Sequence, residues 1–301
     1  MNIFSYIQLL RPRHWVKNVF VFSPLFFDGR LLDINSIIIT FYVFVAFCFA
    51  SSGIYCLNDI LDVKEDRQHS DKCKRPIASG KVSSSSAIVM MFASFILSFT
   101  IILISDSYIV GQVNLMPTII PLSVYILINS AYCFFLKRIA IIDVIVLSMG
   151  FVLRVLAGGV SLEIWLSQWI LLMTFLLALF LALAKRRDDV VLFDEEGIIT
   201  RNSVVGYNKV FIDQAMAIVA AVIIVCYIMW AVSPDVIERF RTSYLYLTTF
   251  FILAGILRYI QSTVVGLNSG NPTELLFKDR FMQICIIGWI LSFVLIIYVF
   301  K

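Results

Sequence analysis

Residues 36–66 read SIIITFYVFVAFCFASSGIYCLNDILDVKED, an apolar run that passes directly into an acidic stretch. The apolar part is long enough to cross a bilayer, whose hydrocarbon core takes about 20 helical residues. Positions three and four apart share one face of a helix, so a continuous helix would gather the polar residues at its end into one stripe. The predicted stripe contains Tyr55, Asn58, Asp59, Asp62 and Asp66.

The rest of the chain repeats the apolar half of this pattern. Of 301 residues, 60% are apolar and 15% are charged, whereas soluble domains have roughly half and a quarter. We therefore predict an all-α polytopic membrane helical bundle of about nine transmembrane helices that forms one transferase domain over residues 1–301. Pro24 interrupts the first span and makes it the weakest. The predicted spans are 15–30, 36–57, 84–105, 115–136, 140–160, 165–185, 210–232, 242–262 and 280–300.

The distribution of Lys and Arg predicts the orientation of this bundle. Nine spans divide the connections into two sets, and one set holds 19 of the 24 basic residues while the other holds 4, with Arg154 inside a span. The positive-inside rule puts the basic set in the cytoplasm. We expect an integral protein of a bacterial-type inner (plasma) membrane with a cytoplasmic N-terminus. The net charge of +4 is too small to indicate a nucleic-acid partner. The basic set comprises the N-terminus and the connections near 58–83, 137–139, 185–209 and 258–280.

The acidic stripe predicts a metal site at the cytoplasmic mouth of the bundle. Several carboxylates on one stripe repel one another unless a cation neutralises them, and such oxygen ligands suit Mg²⁺, which shares its shell with substrate phosphates. A solvated acidic helix end is the alternative. The predicted Mg²⁺ ligands are Asn58, Asp59, Asp62 and Asp66, with Asp59 and Asp62 as the catalytic pair.

Two basic clusters follow predicted spans and could bind phosphates. Lys72 and Arg75 come after the acidic stripe, where Arg offers a bidentate fork and Lys a point charge. Lys185 and Arg186 follow the sixth span and are candidates for an anionic substrate, while Asp189 could join a second metal site or orient those cations. The positive-inside rule alone would also place basic residues here.

Arg154 lies inside the fifth predicted span, where an ionisable group is costly and is a functional candidate by default. Together with Lys137 and Arg138 at the start of that span, Arg154 predicts a binding site for a lipid phosphate. The alternative is an ion pair between Arg154 and a carboxylate elsewhere in the bundle. Lys17 and Asn18 enter the first span and are predicted to face the polar cavity.

The motif Asn58-Asp59-x-x-Asp62-x-x-x-Asp66, the nine spans and the second long cytoplasmic connection resemble the UbiA superfamily of membrane prenyltransferases. Many prenyl-diphosphate users of that superfamily carry D-x-x-x-D in this connection, whereas residues 185–189 read Lys-Arg-Arg-Asp-Asp, which is more basic and lacks that spacing. Within the superfamily, the chain resembles the decaprenyl-phosphate phosphoribosyltransferase branch. The supporting stretches are RPRHWVKN at 11–18, the segment 137–159, KRR at 185–187 and NPTELLFKDR at 271–280.

This resemblance implies a Mg²⁺-dependent transfer of a phosphoribosyl group from 5-phosphoribosyl 1-diphosphate to a polyprenyl phosphate, in the synthesis of a cell-envelope polysaccharide. Two alternatives stay open: an aromatic prenyltransferase of the same superfamily, and a non-catalytic lipid-phosphate transporter. The sequence also leaves open whether the chain forms a homo-oligomer. The implied substrate-binding residues are Lys17, Asn18, Tyr55, Lys72, Arg75, Lys137, Arg138, Arg154, Lys185 and Arg186.

Overall fold

The computed structural model describes residues 3–68, 72–108, 114–196, 202–265 and 278–298, and every regular element in these ranges is helical. The all-α prediction is therefore confirmed. Short 3₁₀ turns join several of the helices. The α-helices are α1 (Ile3–Leu10), α2 (Ser23–Phe27), α3 (Ile34–Leu61), α4 (Val63–Gln68), α5 (Ser84–Tyr108), α6 (Ile119–Phe134), α7 (Ile142–Ser161), α8 (Gln168–Glu196), α9 (Lys209–Ala231), α10 (Pro234–Phe240), α11 (Thr249–Val264) and α12 (Arg280–Tyr298).

Eight helices in the described residues are long and apolar enough to cross a membrane. They match eight of the nine predicted spans, and the chain is an integral membrane protein. The eight candidate segments are Ile34–Leu61, Ser84–Asp106, Met116–Phe134, Ile142–Ser161, Gln168–Glu195, Lys209–Ala231, Tyr244–Val264 and Arg280–Ile297.

The first predicted span, 15–30, does not form one long α-helix. A 3₁₀ helix of 11 residues, Pro12–Phe22, leads into the five-residue helix α2, which has Pro24 in its first turn. Proline lacks the N–H that a continuous helix would need at that position. Placed end to end, the two pieces measure about 30 Å, close to the thickness of the hydrocarbon core. The ninth span stays a prediction.

The helices group into two compact units, each with its own packing. In the first unit, α3 packs against α5, α6, α1 and the Pro12–Phe22 segment. Gly158 lets α7 approach the Pro12–Phe22 segment closely, because a Cβ there would lie 2.0 Å from the carbonyl oxygen of Val21. The prediction of one transferase domain over 1–301 concerns function and stays a prediction. The first unit is Met1–Lys137 with Met149–Leu166, and the second is Arg138–Ser148 with Ser167–Lys301.

In the second unit, α8 packs against α9, and α11 packs against α9 and α12. Helix α8 continues to Glu196, three turns beyond residue 185, where the sixth span is predicted to end. The physical reason is that buried Val190 extends the apolar face past the charged cluster and joins the core with Phe180 and Ile212. Residues 185–189 therefore lie on a helix instead of in a loop.

Candidate active site

Asp59, in the last turn of α3, is the centre of a charged cluster in the first unit. Its side chain is 2% exposed, and its Oδ1 accepts hydrogen bonds from Arg11 Nη2 and from Arg75 Nη1, the latter at 3.2 Å. Its other carboxylate oxygen, Oδ2, is buried and has no hydrogen-bond partner among the described residues. A buried polar atom left unpaired costs free energy that a ligand or cation at the same place would recover.

Asp66 joins this cluster through Arg75. Arg75 Nη1 donates to Asp66 Oδ2 at 2.7 Å as well as to Asp59, and Asp66 is 3% exposed. The prediction that one continuous helix aligns the stripe is wrong, because α3 ends at Leu61 and α4 begins at Val63. The shared arginine, and not helical spacing alone, brings the two carboxylates together.

Asp62 caps the C-terminus of α3 and forms an ion pair with Lys137. Both side chains are largely buried, with exposures of 18% for Asp62 and 16% for Lys137. Lys137 lies in the short 3₁₀ turn after α6, so two connections of the first unit meet at this ion pair. The side chain of Asn58, half-buried, has no hydrogen bond to a described residue.

Arg11 is a member of the cluster that the sequence prediction did not select. Its backbone is left-handed, with φ 52° and ψ 58°, which is uncommon for a residue other than glycine. Its guanidinium carbon lies 5.0 Å from the centre of the Tyr55 ring while the same group contacts Asp59. No spacing rule in the sequence links position 11 to position 59. The contact depends on the docking of α1 and the segment after it against α3.

The cluster fits a divalent cation as a site completed by substrate. Within the described ranges, no three His, Cys, Asp or Glu side chains are gathered as a closed metal cage. The unpaired oxygen of Asp59 and the nearby Asp62 instead offer an incomplete set of hard oxygen ligands. Mg²⁺ typically takes one or two carboxylates and completes its shell with water and substrate phosphates. The residues present therefore fit Mg²⁺ together with a phosphorylated ligand.

Arg154 of α7 has a second polar environment in the first unit, inside the membrane-crossing segment. It is 5% exposed; its Nε donates to Asn18 Oδ1 at 2.7 Å and its Nη2 to the Tyr125 hydroxyl at 3.0 Å. Its Nη1 donates to the Gly150 carbonyl at 2.7 Å. Among the described residues, these acceptors are all neutral, so the alternative of an ion pair with a carboxylate is not supported.

Asn18 is fully buried, in line with the prediction that it faces a polar interior, and its amide donates to Ser51 Oγ at 3.3 Å. Lys17, its neighbour, is exposed. Lys72 is half-buried in the 3₁₀ turn Lys72–Lys74 of the first unit. Arg138 and Lys185 are exposed and belong to the second unit.

Arg186, predicted to bind substrate, lies in a closed network of the second unit. It is 1% exposed; its Nε donates to Asp143 Oδ2 at 2.6 Å and its Nη1 to Asp189 Oδ2 at 2.9 Å. Asp143 also accepts hydrogen bonds from Ser203 and Tyr207. This geometry favours a positioning role for Arg186 over direct contact with substrate, and it gives Asp189 the orienting role.

The same network supports a strained turn before α7. Ile141 has φ 71°, an outlier for a β-branched residue, and its N–H donates to the Tyr207 hydroxyl at 2.6 Å. Burial, and then the hydrogen bond to Asp143, raise the pKa of Tyr207, so this hydroxyl stays protonated. Neither the strain nor the partner of Asp143 has a signal in the sequence.

The sequence is similar to a known family of membrane enzymes. The model of the UbiA prenyltransferase family matches residues 29–278. The chain is 35% identical to a decaprenyl-phosphate phosphoribosyltransferase of Mycolicibacterium smegmatis, over 94% of this chain and 89% of that protein. It is 31% identical to the decaprenyl-phosphate phosphoribosyltransferase of Corynebacterium glutamicum, over 97% of this chain and 86% of that protein.

The fold is also similar to that of a solved UbiA homolog. A structure of a UbiA homolog from Archaeoglobus fulgidus bound to DMAPP and Mg²⁺ is similar with a TM-score of 0.68 and 18% identity. The similarity covers 97% of this chain and 99% of that one. The resemblance predicted from the Asn58 motif is therefore confirmed, and the chain belongs to the UbiA prenyltransferase family.

Proposed function

We propose that the protein transfers a 5-phosphoribosyl group from 5-phosphoribosyl 1-diphosphate to a polyprenyl phosphate and releases diphosphate. The observation that carries this proposal is the cluster in which buried Asp59 is bound on one oxygen by two arginines and unpaired on the other. Such a cluster offers cations for phosphate oxygens beside a place for a metal. The similarity to decaprenyl-phosphate phosphoribosyltransferases along nearly the whole chain supports this choice of substrates.

The acidic residues would hold Mg²⁺, which neutralises the leaving diphosphate when bound. Asp59 and Asp62 are the proposed ligands, with Asn58 and Asp66 in support. The cations that now neutralise these carboxylates would move to the phosphate oxygens of the donor. Arg75 and Arg11 supply guanidinium forks for this purpose, and Lys72 supplies a further positive charge.

In the transfer, the bond from ribose C1 to the diphosphate oxygen breaks, and an oxygen of the lipid phosphate forms the new bond to C1. The lipid phosphate is already anionic, so the reaction needs no general base. The positive charges nearest the carboxylates stabilise the charge that develops on the leaving group. Lys137, which pairs with Asp62, is the proposed contact for the lipid phosphate. Lys17 and Lys185 stay predicted contacts of the donor, and Arg138 stays a predicted contact of the lipid phosphate.

The excess of Lys and Arg in one set of connections supports a cytoplasmic N-terminus in a bacterial inner membrane. The donor is a soluble anion, so a site on the cytoplasmic side is consistent with its supply. The lipid phosphate would reach the same site from the bilayer.

The test uses purified protein in lipid nanodiscs with labelled 5-phosphoribosyl 1-diphosphate, Mg²⁺ and a polyprenyl phosphate. We expect label in the lipid fraction, loss of that label with a chelator, and recovery when Mg²⁺ is restored. Asp62→Ala should also remove it, while Asp235→Ala, a change far along the chain in the short helix α10, should not. Transfer only from a prenyl diphosphate to an aromatic acid would refute the proposal, and so would no turnover with either donor.

A further inference from the structure

Ser51, Tyr55 and Asp59 follow one another at intervals of four residues in α3 and therefore share one face of that helix. Asp59 is at the cytoplasmic end of this face, and Ser51 lies about 12 Å deeper along the helix axis. Asn18 joins the deep end of the face to Arg154, because it donates to Ser51 Oγ and accepts from Arg154 Nε. The first unit thus has a polar strip with carboxylates at one end and a guanidinium at the other.

Arg154 has capacity left for a ligand. A guanidinium has five N–H donors, and three acceptors in the described residues contact Arg154, all of them neutral. Two donors are therefore left over, and the positive charge contacts neutral oxygens and the rings of Tyr125 and Phe151 instead of a carboxylate. A charge in a membrane-crossing segment is costly unless it is compensated. Gly150 preserves this arrangement, because a Cβ there would lie 3.4 Å from Arg154 Nη1.

The guanidinium is also held in one orientation. Tyr125 accepts a hydrogen bond from Nη2, and the guanidinium carbon lies 4.6 Å from the centre of the same ring. The carbonyl of Gly150 and the amide oxygen of Asn18 fix the other nitrogens. A planar fork fixed on three sides is suited to bidentate recognition of a phosphate, which Lys would not reproduce.

We propose that Arg154, oriented by Asn18 and Tyr125, binds the 5-phosphate of the donor and thereby selects a phosphorylated sugar donor over a prenyl one. This inference rests on the proposed function. The donor carries an anionic group at each end of a pentose, and each end of the strip is suited to an anion: the Asp59 carboxylate could hold a Mg²⁺ ion that binds diphosphate, and the Arg154 guanidinium could bind a phosphate directly. Its diphosphate would lie at Asp59, its ribose along Tyr55, and its 5-phosphate at Arg154.

The role differs from the one predicted from sequence, where Arg154 shared a lipid phosphate with Lys137 and Arg138. In the structure, Lys137 pairs with Asp62 at the acidic end, whereas Arg154 bonds with Asn18 at the deep end of the strip. A prenyl diphosphate anchored at Asp59 would bring an apolar chain against the buried guanidinium, which is unfavourable because the charge would stay unpaired.

The test measures binding of three probes to purified protein: ribose 5-phosphate, inorganic diphosphate with Mg²⁺, and a short-chain polyprenyl phosphate. We expect Arg154→Met to weaken ribose 5-phosphate binding by roughly ten- to a hundredfold. Binding of diphosphate with Mg²⁺ and of the polyprenyl phosphate should not change. Arg30→Gln, which alters an arginine paired with Asp28 outside the strip, is the matched control and should affect none of the three.

Loss of polyprenyl phosphate binding in Arg154→Met, with ribose 5-phosphate binding unaffected, would overturn the inference. Arg154 would then bind the lipid phosphate acceptor. No change with any probe would overturn it in favour of a structural arginine. If Arg154→Met does not fold, as lost diphosphate binding would reveal, Tyr125→Phe decides instead. That variant keeps the ring and removes the orienting hydroxyl, and several-fold weaker binding of ribose 5-phosphate alone supports the inference, whereas unchanged binding overturns it.

The two proposals fail in distinguishable ways. If wild-type protein does not transfer from 5-phosphoribosyl 1-diphosphate, the proposed function is wrong and the inference falls with it. If wild-type protein does transfer but its ribose 5-phosphate binding is insensitive to Arg154 and Tyr125, only the inference is wrong.

Discussion

Asp59 in the first unit and Asp143 in the second are both buried aspartates paired with arginine. They differ in how many of their two carboxylate oxygens accept hydrogen bonds. Asp143 is fully buried, and its Oδ1 and Oδ2 both accept hydrogen bonds. Asp59 is almost as buried, but its Oδ2 has no partner in the described part of the chain. Burial and an arginine partner alone therefore do not distinguish a structural carboxylate from a ligand-binding one.

The arginines that pair with these two aspartates also differ, in the exposure of their side chains. The Arg186 side chain, paired with Asp143, is 1% exposed, whereas those of Arg11 and Arg75, paired with Asp59, are 19% and 25% exposed. A buried network in which both carboxylate oxygens accept hydrogen bonds specifies one arrangement of helices. A partly open one with an unpaired oxygen can exchange its partners for a ligand. We therefore propose a structural role for the Asp143 network and a binding role for the Asp59 cluster.

The largest effect should come from breaking the closed network. Asp143→Ala would remove the buried carboxylate that accepts from Arg186 Nε, and removing one partner of a buried ion pair costs about 3–5 kcal/mol. We expect a large fall in the melting temperature of the purified protein, measured by the fluorescence of a thiol-reactive dye, and loss of activity as a consequence. Melting like the wild type would contradict the structural assignment.

The next effect should separate activity from stability at Asp59. Asp59→Asn keeps the side-chain shape but removes a charge and a metal-ligand oxygen, and we expect transfer to fall by about a hundredfold or more. The melting temperature should change little, because one oxygen of Asp59 is already unpaired. A matched comparison with Asp143→Asn sharpens the contrast, since that change should lower stability more than Asp59→Asn. If Asp59→Asn unfolds the protein instead, the cluster is structural as well.

The smallest effect tests the strained turn at Ile141. Tyr207→Phe keeps the ring but removes the hydroxyl that accepts from Ile141 and donates to Asp143. Loss of these buried hydrogen bonds should cost about 1–3 kcal/mol. Hydrogen exchange of the amides near residue 141 should rise with it. Tyr246→Phe, the same change at an exposed tyrosine of the second unit, should leave that exchange unaltered. Equal exchange in both variants would disprove the stabilising role of Tyr207.

Much of the fold could be predicted because a bilayer imposes a simple rule. An apolar run of spanning length has to be helical so that its backbone groups are paired within the segment. Eight of the nine predicted spans match long apolar helices in the described residues for this reason. The ends were less predictable: Val190 extends α8 through a charged cluster that sequence reasoning treated as a loop. The segment near Pro24 failed as a long α-helix because proline cannot supply an N–H.

The candidate site was predictable in its acidic members and less so in their partners. Spacing of three and four residues pointed to Asp59, Asp62 and Asp66, and a membrane-embedded charge pointed to Arg154. Arg11 was missed, and Arg186 was predicted as a substrate contact although it is closed within its own network. These pairings join residues 43 or more positions apart, for which spacing gives no information.

The sequence by itself determined the family, eight long apolar helices and the position of the acidic motif at the end of one of them, since each depends on local composition or on spacing within one helix. Only the tertiary structure decided which charges are paired. It left one oxygen of Asp59 unpaired, closed the network around Asp143, and gave Arg154 a shell of neutral oxygens. The physical reason is that charge compensation depends on distance in space, and helices that are remote in the chain supply the partners.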